Sequence, residues 1–500
     1  MSSLERSGRR TEDPPREGPD AGTGAGTRPR TSRAIRVGLV SLGCAKNLVD
    51  SEVMLGSLLR DGMELADDAQ EADVVIVNTC GFIEGSKKES IDAILKANEL
   101  RDTGNCQALI MAGCLTQRYP KDLQKELPEV DAIVGLNEVP RIGEIVREVL
   151  ARTERARNDA LFWSGPAKYV SDYAAPRFRL TPKHYAYVKI AEGCNHPCTF
   201  CSIPRIRGKH RSRRMDDVVA EVRALVASGV KEINLISQDT TFYGKDLDPR
   251  APGPRDGKGQ LCELLRALQR VEGDFWMRLL YTHPYHWTDE LIETIGACDK
   301  VCRYVDIPLQ HINDEILRRM RRETSGQYIR DLVAKIRRGI PGIALRTTFI
   351  VGFPGETEAQ FRELLELIGE ARFERLGIFQ YSREDHTPAG AMAGQLSAKE
   401  KKKRYDRAMA LQQKVLRQVQ RDFIGKRLRV LIEKRVNGGF VGRSHADAPE
   451  IDGRVRVTGA ARLGDFARAL ITGASEYDLT GETSRAAGVG ENKDSGTGWA

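Results

Sequence analysis

The chain has 500 residues, 40% hydrophobic and 30% charged, with a formal net charge of +8 and ten cysteines. That is enough apolar material for two or three domains with cores of their own, and the small positive excess permits contact with nucleic acid without requiring it. An apolar leader and any run of 18 or more apolar residues are missing from the sequence, so neither a secretory signal nor a membrane-spanning helix is expected. The expected compartment is the cytoplasm, where cysteines stay reduced as metal ligands or core residues.

Residues 1–33 and 483–500 are rich in Gly, Ser, Thr, Pro and charge and read as disordered tails. From Ile35, apolar runs at 35–42, 73–78 and 108–112 alternate with helix-like stretches at 51–60 and 86–100. This is the rhythm of an open parallel α/β domain over 34–150. Each run leads into a cysteine, in Ser41-Leu42-Gly43-Cys44, Asn78-Thr79-Cys80-Gly81 and Ala112-Gly113-Cys114-Leu115. The carboxyl ends of parallel strands share one edge, so these three thiols are expected to converge there as a metal site, with the glycines giving the backbone room. A cysteine at a strand end is otherwise an ordinary small hydrophobe, and that alternative stays open. Cys106 precedes its strand and is expected at the opposite edge.

Residues 151–182 show no periodicity and read as a linker. A second βα series fills 183–411, with strands expected at 185–191, 232–237, 276–281, 303–307, 344–351 and 375–381. Six units make a partial (βα)6 barrel rather than a closed eight-unit one, with its chemistry at the carboxyl ends of the strands. Just past the first strand lies Cys194-Asn195-His196-Pro197-Cys198-Thr199-Phe200-Cys201. A CxxxCxxC arises by chance in such a chain with a probability of about 0.004. Three thiolates at this spacing hold three irons of a 4Fe-4S cluster and leave the fourth open to the amino and carboxylate groups of S-adenosylmethionine, the arrangement of a radical enzyme. Zinc is the chemical rival, but it wants four ligands, and a second CxxC-like pair is lacking.

Segments 237–240, 306–311 and 348–355 face the same mouth. From strand-end position, Gln238 and Arg346 are the expected contacts to the cofactor, while His311 is read equally as a structural hydrogen bond. Arg205, Arg207, Lys209, Arg211, Arg213 and Arg214 follow the cysteine loop, either gripping phosphate or an acidic substrate or forming a solvated turn. A charged helix at 398–422 leads into a β-rich tail resembling a small five-stranded antiparallel barrel, within a last domain placed at 412–482. From 426 to 482 the tail carries ten basic and eight acidic residues, so a protein partner is as plausible there as RNA.

The order of a three-cysteine domain, a CxxxCxxC domain and a terminal barrel resembles the methylthiotransferase family of radical S-adenosylmethionine enzymes over about 35–482. Within it, residues 41–47, 78–83, Tyr381-Ser382-Arg383-Glu384-Asp385 and Ala446-Asp447-Ala448-Pro449-Glu450-Ile451-Asp452-Gly453 resemble the RimO branch. The resemblance implies two 4Fe-4S clusters, one on Cys194, Cys198 and Cys201 and one on Cys44, Cys80 and Cys114, with S-adenosylmethionine as cofactor. It implies a 5′-deoxyadenosyl radical that takes hydrogen from the β-carbon of an aspartate of ribosomal protein S12, sulfur from the second cluster, and a methyl group from a second S-adenosylmethionine. The terminal barrel matches the TRAM domain, expected to hold the ribosomal protein, free or in the small subunit. Sulfur-donor and electron-donor proteins are the other implied partners, and a monomer is expected. Two rivals are a tRNA adenosine methylthiotransferase and a non-catalytic iron–sulfur protein that binds RNA or the ribosome.

Overall fold

Val37, Val74 to Val77 and Leu109 to Met111 are almost wholly withdrawn from water, as continuous β-branched and aliphatic runs are when helices cover both faces of a parallel sheet. A computed structural model describes residues 33–152, 160–247 and 260–483; apart from Arg33 and Thr483, the two expected tails lie outside them. The first sheet is parallel throughout. It is built from β1 (Arg36–Ser41), β2 (Glu64–Leu65), β3 (Val74–Thr79), β4 (Ala108–Gly113), β5 (Ala132–Val134) and β6 (Leu161–Trp163) in the order β2-β1-β3-β4-β5-β6. β6 falls in the stretch read as linker: three residues are too short to show a period, but Leu161 to Trp163 pair with β5 at the sheet edge.

The second sheet contains β7 (Tyr185–Lys189), β10 (Glu232–Ile236), β11 (Trp276–Leu279), β12 (Val301–Asp306), β13 (Ala344–Val351) and β14 (Arg375–Gln380), all parallel and in sequential order. A two-residue ribbon, β8 (Ala191–Glu192) with β9 (Arg211–Ser212), branches off after β7. Strand alternation assigns the faces. Leu345, Phe349 and Val351 of β13 pack against the surrounding helices, so Arg346 lies on the inner face.

That inner face is filled by the other two domains. Tyr187, Ile236, Trp276 and Tyr304 meet Val49 of helix α1 (Ala45–Arg60) from one side and Leu431, Ala446 and Ala448 of the tail from the other. The tail itself is a closed barrel of β15 (Arg427–Val436), β16 (Gly439–Ser444), β17 (Val455–Thr458), β18 (Phe466–Ala474) and β19 (Leu479–Glu482) in the order β15-β16-β17-β19-β18. One pairing, β17 with β19, is parallel, where an all-antiparallel barrel was expected.

The tail docks through buried charge. Arg278 and Arg443 both reach Glu232, at 2.8 and 2.6 Å. Asp447 pairs with Arg375, and Tyr304 donates its hydroxyl to Asp452 at 2.8 Å. Glu232→Ala leaves Arg278 buried without its carboxylate. It is expected to cost about 3–5 kcal/mol, read as a lower urea midpoint. Removal from water beside Arg278 holds the His445 imidazole down to about 4, against 6.5 ordinarily. Below pH 6.5 the unfolded chain takes a proton that the folded chain refuses. Acid titration between pH 6.5 and 4 should therefore lower stability, and His445→Gln should flatten that part of the profile.

Candidate functional site

Cys44 caps the amino end of α1, Cys80 follows β3, and Cys114 opens the short helix Cys114–Arg118 directly after β4. Since β1, β3 and β4 are sheet neighbours, the three thiols share the carboxyl edge, and Cys114 feels the charges of both others. The glycines beside Cys44 and Cys114 have no room for a side chain. A Cβ on Gly43, at φ +90, would stand 3.0 Å from the Cys80 sulfur, and one on Gly113 would stand 2.3 Å from Asn78 Oδ1. Cys106 lies before β4, with its thiol on the Ala108 carbonyl at 3.3 Å.

The second set occupies the loop after β8. Gly193, at φ +84, brings Cys194 to donate its amide to the Gly208 carbonyl at 3.0 Å. Arg322 Nη1 donates to Cys198 Sγ at 3.5 Å, and the Ile203 amide donates to Cys201 Sγ at 3.4 Å. Burial pushes the Cys194 thiol up to about 12 and Cys201 higher still, with the neighbouring cysteine charges opposing ionisation. Buried thiols that resist ionisation, beside acceptor sulfurs facing Arg322 and a backbone amide, fit a cluster that binds them as thiolates and neutralises them, releasing protons. The remaining cysteines among the described residues lie away from the carboxyl strand ends: Cys106 ahead of β4, Cys262 in the helix Gln260–Gln269, Cys298 ahead of β12 and Cys302 at its start.

The environment of Cys44 has the opposite sign. Desolvation would raise its thiol, but Lys46 and Arg207 hold it below the ordinary range. Lys46 lies 3.0 Å above the Tyr281 ring, and burial lowers it to about 8.

Gln238 follows β10, where its amide nitrogen donates to Glu192 at 2.6 Å and its buried carbonyl oxygen finds no partner among the described residues. Arg346 donates to Asp306 at 2.8 Å and lies 3.6 Å from Asp452. His311 accepts the Asn313 amide at 3.0 Å, the structural role.

The basic run is divided: Arg205, Lys209 and Arg214 stay exposed, as in a solvated turn, and Arg207, Arg211 and Arg213 are drawn into the fold. Arg207 and Arg213 are buried, Arg213 on Asp217 and Glu221, while Arg211 donates to the Arg207 and Lys209 carbonyls and Arg205 to that of His386. Sequence counts charges but does not see acceptors, and here most of the acceptors are inside the fold.

His196, which lies within the cysteine motif, and His283 and His286, which the sequence reading left out, bring ring nitrogens within 4.8 Å of one another. They do not make metal geometry. His196 is engaged at both nitrogens, by Asp239 at 2.8 Å and Glu323 at 2.7 Å, and stacks on His283 at 3.7 Å, so the faces of these rings meet rather than their in-plane lone pairs. The arrangement holds the loop: burial opposes the Asp239 charge, but His196 and His286 keep its carboxyl well below the usual range.

Comparison with known proteins adds a name to each part. Residues 36–135 match the uncharacterized protein family UPF0004, 188–368 the radical SAM superfamily and 424–483 the TRAM domain. A protein of Opitutus terrae named ribosomal protein uS12 methylthiotransferase RimO is 57% identical over 455 residues, 89% of this chain and 96% of that one. Its namesake in Akkermansia muciniphila is 50% identical, over 90% of this chain and 100% of that one. Among solved structures, the radical S-adenosylmethionine methyltransferase TsrM of Kitasatospora setae, with cobalamin and a [4Fe-4S] cluster bound, superposes with a TM-score of 0.51 at 16% identity. The match covers 72% of this chain and 77% of that one, and is a likeness of fold.

Anaerobically reconstituted protein is expected to carry about eight irons, and the triple variant Cys44→Ala, Cys80→Ala, Cys114→Ala about four. Equal iron and sulfide in the two proteins would refute a cluster at the first set.

Proposed function

The chain belongs to the methylthiotransferases named RimO, and from that premise we propose that Cys194, Cys198 and Cys201 hold the cluster that engages S-adenosylmethionine, and Cys44, Cys80 and Cys114 the cluster that carries sulfur. The chain is a radical S-adenosylmethionine enzyme. It adds a methylthio group to the β-carbon of an aspartate of ribosomal protein uS12. The observation that supports this reading best is the presence of two three-thiol sets in one molecule, the first at the carboxyl ends of β1, β3 and β4 and the second in one loop beyond β7 and β8, in domains packed against a common interior.

When bound, the clusters and S-adenosylmethionine supply the one-electron chemistry that opens an unactivated carbon–hydrogen bond, together with the sulfur and methyl groups. The chain's own residues prepare the site. Arg207 and Lys189 outweigh burial and keep Glu192 ionised. Glu192 in turn fixes the Gln238 amide, leaving its carbonyl oxygen as an acceptor for a cofactor hydroxyl or ammonium group. Arg346 is proposed as the second cofactor-facing group, a cation whose direction Asp306 sets. The terminal barrel is proposed to hold the ribosomal protein, with sulfur-donor and electron-donor proteins serving a monomer in the cytoplasm. Among the described residues no helix is long and apolar enough to cross a membrane.

Against the tRNA reading, the terminal barrel carries only two more basic than acidic residues, and Arg207 and Arg213 of the basic run are engaged by internal carboxylates. Intact-mass measurement of uS12 from a strain lacking this protein should show loss of about 46 Da, methylthio replacing hydrogen. An unchanged ribosomal protein with altered tRNA nucleosides would refute the assignment.

A further inference from the structure

Helix α2 (Ile203–Arg207) begins two residues after Cys201 and ends in a side chain that reaches the other cysteine set. Arg207 is 2% exposed. Its Nη2 donates to Cys114 Sγ at 3.2 Å and to Asp50 Oδ2 at 3.0 Å, while Nη1 donates to Glu192 Oε2 at 2.9 Å. Asn47 Oδ1 lies 3.4 Å from the same Nη2 and 3.9 Å from the sulfur. Lys189 already bonds both Asp50, at 2.5 Å, and Glu192, at 2.7 Å. The two carboxylates are thus balanced by two cations, and the bond to sulfur is an additional commitment of Arg207. A planar fork with five donors can serve two carboxylates and a sulfur together, whereas an ammonium cannot match that geometry.

We propose that Arg207 tunes the cluster held by Cys44, Cys80 and Cys114, raising its reduction potential by donating a charged hydrogen bond to the Cys114 sulfur. The reason is electrostatic. Adding one electron makes the cluster more negative, and a charged donor fixed on the buried Cys114 sulfur stabilises the reduced form more than the oxidised one. Arg207 acts through Cys114 and is a positioning residue. Because α2 carries Cys201 just before one end and Arg207 at the other, the same five residues tie the two cysteine sets to a common frame.

This inference rests on the reading that the first set holds a cluster, and the test separates the two. Full-length protein carrying Cys194→Ala, Cys198→Ala and Cys201→Ala is reconstituted anaerobically. One electron per cluster is then delivered from dithionite, and the midpoint is followed by electron paramagnetic resonance. No iron in this parent would overturn the reading itself. With about four irons present, Arg207→Gln is expected to make the midpoint more negative by at least a tenfold change in the reduction equilibrium, ~59 mV for one electron. Arg207→Lys, which keeps the charge but not the fork, should give a smaller shift of the same sign. In the complementary parent lacking Cys44, Cys80 and Cys114, Arg207→Gln should leave the midpoint of the other cluster in place. An unshifted first cluster in both variants, or equal shifts in both parents, would overturn the proposal. So would loss of iron from both Arg207 variants with circular dichroism unchanged, which would make the residue purely structural.

Discussion

Asp50, Lys189, Glu192 and Arg207 stand together out of water, two anions and two cations bonded at 2.5 to 3.0 Å. They arrive from separate places: Asp50 from α1 in the first domain, Lys189 from the end of β7, Glu192 from β8 and Arg207 from the end of α2. Taking an ion from water costs several kcal/mol, and stranding one partner of a buried pair costs about 3–5 kcal/mol. The first domain therefore cannot slide on the second without leaving a charge unanswered. Apolar contact alone would tolerate such sliding, because hydrophobic burial is proportional to area and has no direction. The spacing between the two cysteine sets is thus a consequence of charge registry.

The same logic fastens the rest of the molecule. Glu384, 2% exposed, receives Arg118 Nη1 at 2.9 Å and the Glu84 amide at 2.8 Å, joining the segment after β14 to the first domain. Glu450 accepts the Tyr185 hydroxyl at 2.8 Å, and Asp447 and Asp452 meet Arg375 and Tyr304. Two of the segments that carried the family resemblance, 381–385 and 446–453, are therefore joints between domains. A fully satisfied buried polar network specifies one arrangement where an apolar interface would allow several.

Cys44 stands apart from the other thiols: Lys46 and Arg207 outweigh burial and hold it down, whereas burial raises Cys114 of the same set as it raises Cys194 and Cys201 of the other. Under the proposed assignment, the set that would carry sulfur is the one that contains the cation-flanked Cys44.

Much of this was legible in the chain. Strand positions at 36–41, 74–79, 108–113 and along the second sheet follow from apolar runs and their spacing. The convergence of Cys44, Cys80 and Cys114 follows from the rule that parallel strands share a carboxyl edge. The two-residue β2, the three-residue β5 and β6, and the β8–β9 ribbon are too short to carry a period, and only pairing reveals them. Asp50 and Glu52 on α1 look like solvent-facing residues of a helix, yet they are buried against Lys189 and Arg177. The six-residue basic run counts as surface charge until its acceptors are known. The sequence by itself determined which atoms can bind iron and on which strands they ride, because spacing and backbone period are local. Only the tertiary structure decided which charges are buried, which arginine reaches which sulfur and what the joint segments hold, because partners 93 to 300 residues apart, as in Arg207 with Cys114 and Glu84 with Glu384, are set by the closing of the fold.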